Sequence, residues 1–342
     1  MRIAIVNDVK IAVEALRRIV KTNPKYEIAW IAYDGIEAVE KCAKDTPDLI
    51  LMDLVMPNMN GIEATRCIMK NSPCAILIVT STVSTHTSKI FEAMGFGALD
   101  VIKTPGLDMN RKDLGGTDLL KKIERISFLI GNFSDRQRKI LEIPAPKFPS
   151  RSLLPPLVVI GASTGGPKAL ATIISHFSKN LPFATVIIQH LDEQFAQGFA
   201  KWLSAQTSQF IQVAQEKMQI VPGSIFIAGK NDHLTITKEH QLHYVKDPLG
   251  SPYCPSVDIF FNSVAYNWPV KSVGILLTGM GMDGAVGLKT LKDNGWTTIA
   301  QREDTCVVYG MPRAAVALGA ATTILPLDGI GPTIVEMFKE IK

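Results

Sequence analysis

Leu157-Val-Val-Ile160-Gly161-Ala-Ser163-Thr-Gly165-Gly-Pro-Lys-Ala-Leu170 changes character twice in fourteen positions. Leu157 to Ile160 is an apolar run as long as one buried strand. Gly161 to Pro167 then breaks the pattern, and Ala169, Leu170, Ile173 and Ile174 recur at helical spacing. A strand, a glycine-rich turn and a helix put Ser163 at the carboxyl edge of a sheet, just before a helix N-terminus. Free N–H groups and partial positive charge gather there, where an oxyanion could develop. Gly161-Ala-Ser163-Thr-Gly165 also fits the G-x-S-x-G pattern of a nucleophile elbow. Helix capping is the commoner use of serine at such a place. A phosphate turn is disfavoured, because neither G-x-G-x-x-G nor G-x-x-x-x-G-K-[ST] is present in the turn. The five-residue pattern alone leaves capping ahead.

The chain has 342 residues, enough for two domains with separate cores. No apolar run approaches membrane-span length, so no membrane insertion is expected. The opening MRIAIVND turns acidic too early for a signal peptide. Five irregularly spaced cysteines fit neither a metal pattern nor an even disulfide framework. A cytoplasmic protein with free thiols is the expectation. A net charge of +4 gives no reason to expect nucleic acid.

Outward from the elbow, both halves of the chain alternate short apolar runs with helical periods. In the first half, strands are expected at 3–6, 28–32, 49–52, 75–79 and 98–102. Helices are expected at 11–20, 35–43, 62–69, 85–94 and about 117–130. Such β–α units imply a parallel sheet with helices on both faces. Working residues then collect beyond the strand carboxyl ends. Asn7 and Asp8 follow the first strand, Asp53 the third, and Thr80 ends the fourth. Two carboxylates, an amide and a hydroxyl from successive strands suit Mg²⁺. Capping by Asp8 and a simple turn at Asp53 are the structural alternatives.

This half resembles the receiver domain of bacterial response regulators, above all in Asp53-Leu-Val-Met-Pro-Asn-Met-Asn-Gly61. The resemblance implies that Asp53 accepts a phosphoryl group from a CheA-type histidine kinase. It implies that Asp8, Asp53 and the Val55 carbonyl hold Mg²⁺, and that Thr80 senses the phosphoryl group. The family usually has two acidic residues where Asn7 and Asp8 stand. Its lysine directly precedes a proline, whereas Thr104 separates Lys103 from Pro105. Lys103 would reach the phosphoryl group only if the loop shifts by one residue. Val101 stands where the family has an aromatic.

The receiver is expected over 1–122, followed at 123–156 by a helix end and a proline-rich, semi-rigid spacer. In the remainder, 157–342, His190 and Asp283 each follow an apolar strand, as Ser163 does. Three strand ends thus supply a nucleophile, a base and an orienting carboxylate. The order Ser, His, Asp differs from that of the α/β-hydrolases. His176 is read as a helix-face residue, and His86 belongs to the receiver. His233, His240 and His243 are read as surface positions in a small antiparallel excursion over 211–244.

Here the chain resembles the catalytic domain of the chemotaxis methylesterase (CheB) family. The resemblance rests on IGASTGGP, Gln189-His190, Pro255-Ser-Val-Asp258, LLTGMGMDGA at 276–285 and VVYGMPRAA at 307–315. It implies a triad of Ser163, His190 and Asp283, with oxyanion amides near Thr164 and Met280. The implied substrate is a glutamyl methyl ester of a methyl-accepting chemoreceptor, with glutamine deamidation as a related activity. It also implies that the unphosphorylated receiver restrains the esterase. Asp192 and Arg302 depart from residues common in the family. Asn7-Asp8 resembles the variant methylesterases of Wsp-type chemosensory pathways. The expected fold is α/β throughout: two doubly wound parallel sheets, a flavodoxin-like receiver and a methylesterase domain. A nucleotide-dependent oxidoreductase would need a catalytic motif, such as Tyr-x-x-x-Lys, that the chain lacks. A regulator that acts by binding alone is the other rival reading.

Overall fold

The computed structural model describes residues 1–81, 87–105, 116–131, 154–246, 253–270 and 272–339. It divides into two units, Met1–Asp135 and Arg136–Lys342.

The first unit runs β1 (Arg2–Val6), α1 (Lys10–Lys21), β2 (Glu27–Ala32), α2 (Gly35–Lys44), β3 (Leu49–Met52), α3 (Gly61–Asn71), β4 (Ala75–Thr80), α4 (Thr87–Gly95), β5 (Asp100–Lys103) and α5 (Gly116–Gly131). Its five strands are all parallel, in the order β2-β1-β3-β4-β5. This flavodoxin-like order makes β1 and β3 the neighbours at which the winding reverses. Each strand interior is apolar because helices cover both faces: β3 is wholly buried and so is most of β1 and β4.

A boundary at 122 cuts through this domain's core. Ile123 and Ile126 are buried with Leu16, Val20 and Leu119, so α5 belongs to the receiver as far as Gly131. The Lys122–Asp100 ion pair fastens the same helix to the start of β5. Residues 132–153 of the expected spacer, and His86, lie outside the described residues.

The second unit runs β6 (Leu157–Ala162), α6 (Gly166–Ile174), β7 (Ala184–Gln189), α7 (Glu193–Thr207), β8 (Ile211–Val213), β9 (Ile225–Ile227), β10 (His233–Ile236), β11 (Leu242–Val245), α8 (Val257–Asn267), β12 (Val273–Leu276), α9 (Ala285–Asp293), β13 (Thr297–Gln301), α10 (Met311–Ala317), β14 (Thr323–Leu325) and α11 (Leu327–Met337). Seven strands form one parallel sheet, β14-β13-β12-β6-β7-β9-β8. The chain winds outward from β6 to one edge, then returns to β12 and winds to the other. The crevice beyond the carboxyl ends of β12, β6 and β7 is therefore the topological switch point.

The antiparallel excursion is smaller than expected. Among the described residues, β10 and β11 form its antiparallel strand pair, extended by one isolated bridge between Gln219 and Gln241, whereas β8 and β9 extend the main sheet in parallel. β9 is buried along its whole length, which suits a sheet covered on both faces and not a surface hairpin.

Candidate functional site

In the receiver, Asn7 and Asp53 leave adjacent strands side by side. Asn7 is 2% exposed. Its Oδ1 accepts the Val9 N–H at 2.8 Å, which turns its Nδ2 toward Asp53 Oδ2 at 2.9 Å. Asp53 Oδ1 accepts from the Leu54 N–H at 2.7 Å and, weakly, the Val55 N–H at 3.5 Å. Burial is the main force on the Asp53 carboxyl. With the charge of Asp8 added and the two N–H groups opposing, it is pushed up to about 6. A backbone carbonyl also presses on this turn. A Cβ on Gly61 would lie 1.9 Å from the Asp53 carbonyl oxygen, so only glycine fits there.

Asp8 is exposed, and it does not cap α1. The N-cap there is Val9, with no side-chain bond. Thr80 is buried at the end of β4, paired in register with Lys103. Lys103 itself is exposed, and among the described residues it makes no ion pair with Asp53. The structure thus gathers Asn7, Asp8 and Asp53 but leaves Lys103 out of the group. The side chain of Val55 is half-exposed.

In the second unit, β6 and β7 run in register from Leu157↔Ala184 to Ala162↔Gln189. Ser163 and His190 are the next residues on each strand, and the His190 N–H still donates to the Ala162 carbonyl at 3.1 Å. β12 lies on the other side of β6, and the Ser163 N–H donates to the Thr278 carbonyl at 3.1 Å. Ser163 does not cap α6. The N-cap is Gly165, with no side-chain bond, while the Ser163 carbonyl accepts the Gly166 N–H at 2.8 Å. That observation removes the commoner reading of the serine. Gly165 has φ +78°, and a Cβ there would lie 2.7 Å from Val307 Cβ, so the elbow needs glycine at this position.

Asp283 is 3% exposed and accepts from four groups. Its Oδ2 takes His190 Nε2 at 2.8 Å and the Val257 N–H at 2.6 Å. Its Oδ1 takes Ser256 Oγ–H at 2.8 Å and the Asp258 N–H at 3.1 Å. The two N–H groups are the first of α8, so the carboxylate sits on the positive end of a helix. Burial works to raise its pKa. The hydrogen bond and charge of His190, with the two amides, outweigh burial and hold it below the usual carboxylate range. With Nε2 committed to Asp283, Nδ1 is the His190 nitrogen left for Ser163. Among the described residues, no hydrogen bond joins Ser163 to His190 directly.

A second layer holds the loops. Gln189 Nε2 donates to the Ser163 carbonyl at 2.9 Å. Thr278 Oγ1 donates to the Thr164 carbonyl and accepts the Val308 N–H, tying the 307–311 loop to the elbow. The Gly279 carbonyl accepts from Gly310 and Met311. The Thr164 and Met280 N–H groups donate to no acceptor among the described residues. They are the free donors such a site would use for an oxyanion.

The other histidines divide differently from the sequence expectation. His233 is fully buried, not a surface residue, and its Nδ1 accepts the Ser256 N–H at 3.1 Å. His240 is partly buried, edge-on to Trp268, whereas His243 is exposed beside Glu216. His176 lies in the turn after α6, exposed. Ser256 and Tyr253 are site residues that sequence reasoning missed. Ser256 carries a local signal as the N-cap before an apolar helix, but nothing local says that its hydroxyl reaches Asp283.

Comparison with known proteins assigns both halves of the chain to families. The CheB methylesterase family model matches residues 158–334, and the response regulator receiver domain model matches residues 3–114. A Pseudomonas aeruginosa protein named protein-glutamate methylesterase/protein-glutamine glutaminase 3 is 46% identical over 338 residues, covering 99% of this chain and 100% of that protein. A Pseudomonas fluorescens relative, methylesterase/glutaminase 1, is 48% identical over 340 residues and 99% of both chains. The crystal structure of the Thermotoga maritima CheB methylesterase catalytic domain covers 54% of this chain and 100% of its own. It has 32% identity and a TM-score of 0.51. With an acid pocket on one parallel sheet and a buried His–Asp pair beside a serine elbow on the other, this chain belongs to the CheB family of receiver-linked protein-glutamate methylesterases.

Proposed function

We propose that Ser163, His190 and Asp283 hydrolyse glutamyl methyl esters on a methyl-accepting chemoreceptor, and deamidate its glutamines, under control of phosphorylation at Asp53. The observation that carries the reading is the buried His190–Asp283 pair at the strand ends adjoining Ser163. His190 Nδ1 takes the Ser163 hydroxyl proton as Oγ attacks the ester carbonyl. The Thr164 and Met280 amides receive the oxyanion. The C–O bond to methanol breaks, and the proton returns from His190 to the leaving oxygen. Water, deprotonated in turn by His190, frees glutamate and restores Ser163. Asp283 stays ionised throughout and stabilises the imidazolium. Met282, beside Asp283 in the chain, and Val307, against Gly165, are both exposed and would offer apolar surface to a receptor segment.

In the receiver, a CheA-type kinase would supply the phosphoryl group to Asp53. The residues present fit a hard cation: two carboxylates, one raised to about 6 by burial and by the other's charge, with no cationic side chain paired to Asp53 among the described residues. Asp8, Asp53 and the Val55 carbonyl would hold Mg²⁺, which neutralises charge on the phosphoryl oxygens during transfer. Thr80 would bond the bound phosphoryl group, with Lys103 a second candidate only if its loop shifts. A kinase partner and a receptor's signalling portion would both be met in the cytoplasm, where this enzyme would work. No helix among the described residues is long and apolar enough to cross a membrane.

The test is methanol release from a methylated receptor by the full chain, by Ser163→Ala and by Asp53→Ala, with and without a small phosphoryl donor. Ser163→Ala should release none. The donor should speed the wild type and leave Asp53→Ala unchanged. Methanol release by Ser163→Ala at the wild-type rate overturns the triad.

A further inference from the structure

The segment from Tyr253 to Ser256 touches both members of the proton relay. The Tyr253 ring lies against the His190 imidazole, with centroids 4.9 Å apart and planes 19° from parallel. Ser256 is 3% exposed, and its hydroxyl donates to Asp283 Oδ1 at 2.8 Å. The segment is itself anchored twice to the start of the β10–β11 hairpin. Cys254 Sγ–H donates to the Asn231 carbonyl, and the Ser256 N–H donates to the buried His233 Nδ1.

A carboxylate bound only through the oxygen facing His190 could still turn about its Cβ–Cγ bond. Ser256 Oγ–H and the Asp258 N–H on Oδ1 fix the plane of the group, so that Oδ2 stays on Nε2. An imidazole bonded at one nitrogen could likewise tilt about that bond, and the Tyr253 ring closes one face against the tilt. Both restraints act on geometry, and small misplacements of a relay are costly in rate.

We propose that Tyr253–Ser256 is a positioning clamp for the relay, in which Ser256 sets the Asp283 carboxylate and Tyr253 sets the His190 ring. The proposal rests on the triad reading above. The β10–β11 hairpin then has a part in catalysis at one remove, because it holds the clamp from behind.

Ser256 also caps α8 through the Ile259 N–H at 3.4 Å, so a purely structural role must be separated from positioning. Glycine is tolerated at an N-cap almost as well as serine but offers no hydroxyl, while threonine keeps both functions. The experiment measures kcat and KM for methanol release, thermal melting, and the downfield proton resonance of His190 Nε2–H. The full-length variants are Ser256→Gly, Ser256→Thr, Tyr253→Phe, Tyr253→Ala and Ser163→Ala.

Ser256→Gly should lower kcat about 10- to 100-fold, leave KM within about twofold, and shift or broaden the imidazole resonance. Ser256→Thr should restore all three. Tyr253→Ala should lower kcat by about tenfold, and Tyr253→Phe should not. Wild-type kcat and an unmoved resonance in Ser256→Gly would overturn the clamp, as would a rate loss that follows the melting temperature alone. If Ser163→Ala still turns over, the triad reading falls first. If Ser163→Ala is inactive and Ser256→Gly is normal, only the clamp falls.

Discussion

Asp283→Asn separates two roles that an orienting carboxylate can play. By analogy with serine hydrolases in general, a wrong histidine tautomer and a rate loss on the order of 10⁴-fold would follow. The hydrogen bonds around this carboxylate lead to a different result. An amide must place NH₂ at one oxygen position. At the Oδ2 position, NH₂ would face the Val257 N–H at 2.6 Å, a fixed backbone donor. At the Oδ1 position it would face the Ser256 hydroxyl, which can turn to accept, and the Asp258 N–H at the longer 3.1 Å. The second arrangement wins, and it keeps an acceptor on His190 Nε2. The tautomer is therefore preserved, and what is lost is the negative charge opposite the imidazolium. A hydrogen bond to a charged partner exceeds a neutral one by about 1–2 kcal/mol, and burial enlarges the difference. A barrier increase of about 3 kcal/mol follows, on the order of 10²-fold in kcat. Setting an NH₂ group against the Asp258 N–H adds a stability loss of about 1–3 kcal/mol. The assay is methanol release beside urea unfolding, with rates corrected for folded fraction. A loss of 10⁴-fold or more in a folded variant would mean that the amide has turned its NH₂ to His190. A loss under about threefold would mean that the charge does not act on the reaction.

Three shorter predictions concern other parts of the molecule. Asn7→Asp removes the 2.9 Å bond to Asp53 and adds a carboxylate, so it should lower the melting temperature without metal and tighten Mg²⁺ binding by calorimetry; unchanged affinity would exclude position 7 from the metal shell. Gly165→Ala forces φ +78° on an alanine and drives its Cβ to 2.7 Å from Val307, so it should cost about 1–3 kcal/mol in urea unfolding and abolish turnover. The Asp283 carboxyl has a folded pKa below its unfolded value, so the stability it contributes is complete above the ordinary carboxylate range. That stability disappears as pH falls through the folded value. Melting of the catalytic unit should thus hold steady from pH 8 to about 5 on this account and fall below about 4, and Asp283→Asn should flatten the acid limb.

The periodicity of the chain reveals most of the architecture because both sheets are parallel and covered on both faces. Leu49–Met52 begins and ends where its apolar run does, and the Val186–Ile188 run marks the centre of Ala184–Gln189. Short strands lack that signal. β8 and β9 are three residues each, and turns surround them, so their parallel pairing into the main sheet depends on partners far away in sequence. Ser163, His190 and Asp283 are legible because each follows a long apolar run. Ser256 is visible only as a cap, since its second partner lies beyond the next strand. His233 misleads for a related reason: one histidine in a turn-rich stretch looks exposed until α8 packs over it.

The order of the large sheet also governs how activity can appear during folding. β6 pairs with β12 from Val158↔Val273 to Gly161↔Leu276, so the central ladder joins segments separated by more than half of the catalytic unit. Long-range pairings of this kind form late, since loop closure precedes any gain from contact. Ser163 can meet a correctly held His190 only after β12 has inserted and brought Asp283 to α8. A nascent chain that has completed the receiver and the first β–α units therefore carries the nucleophile without the relay. On the triad proposed above, hydrolysis therefore waits until β12 is in place.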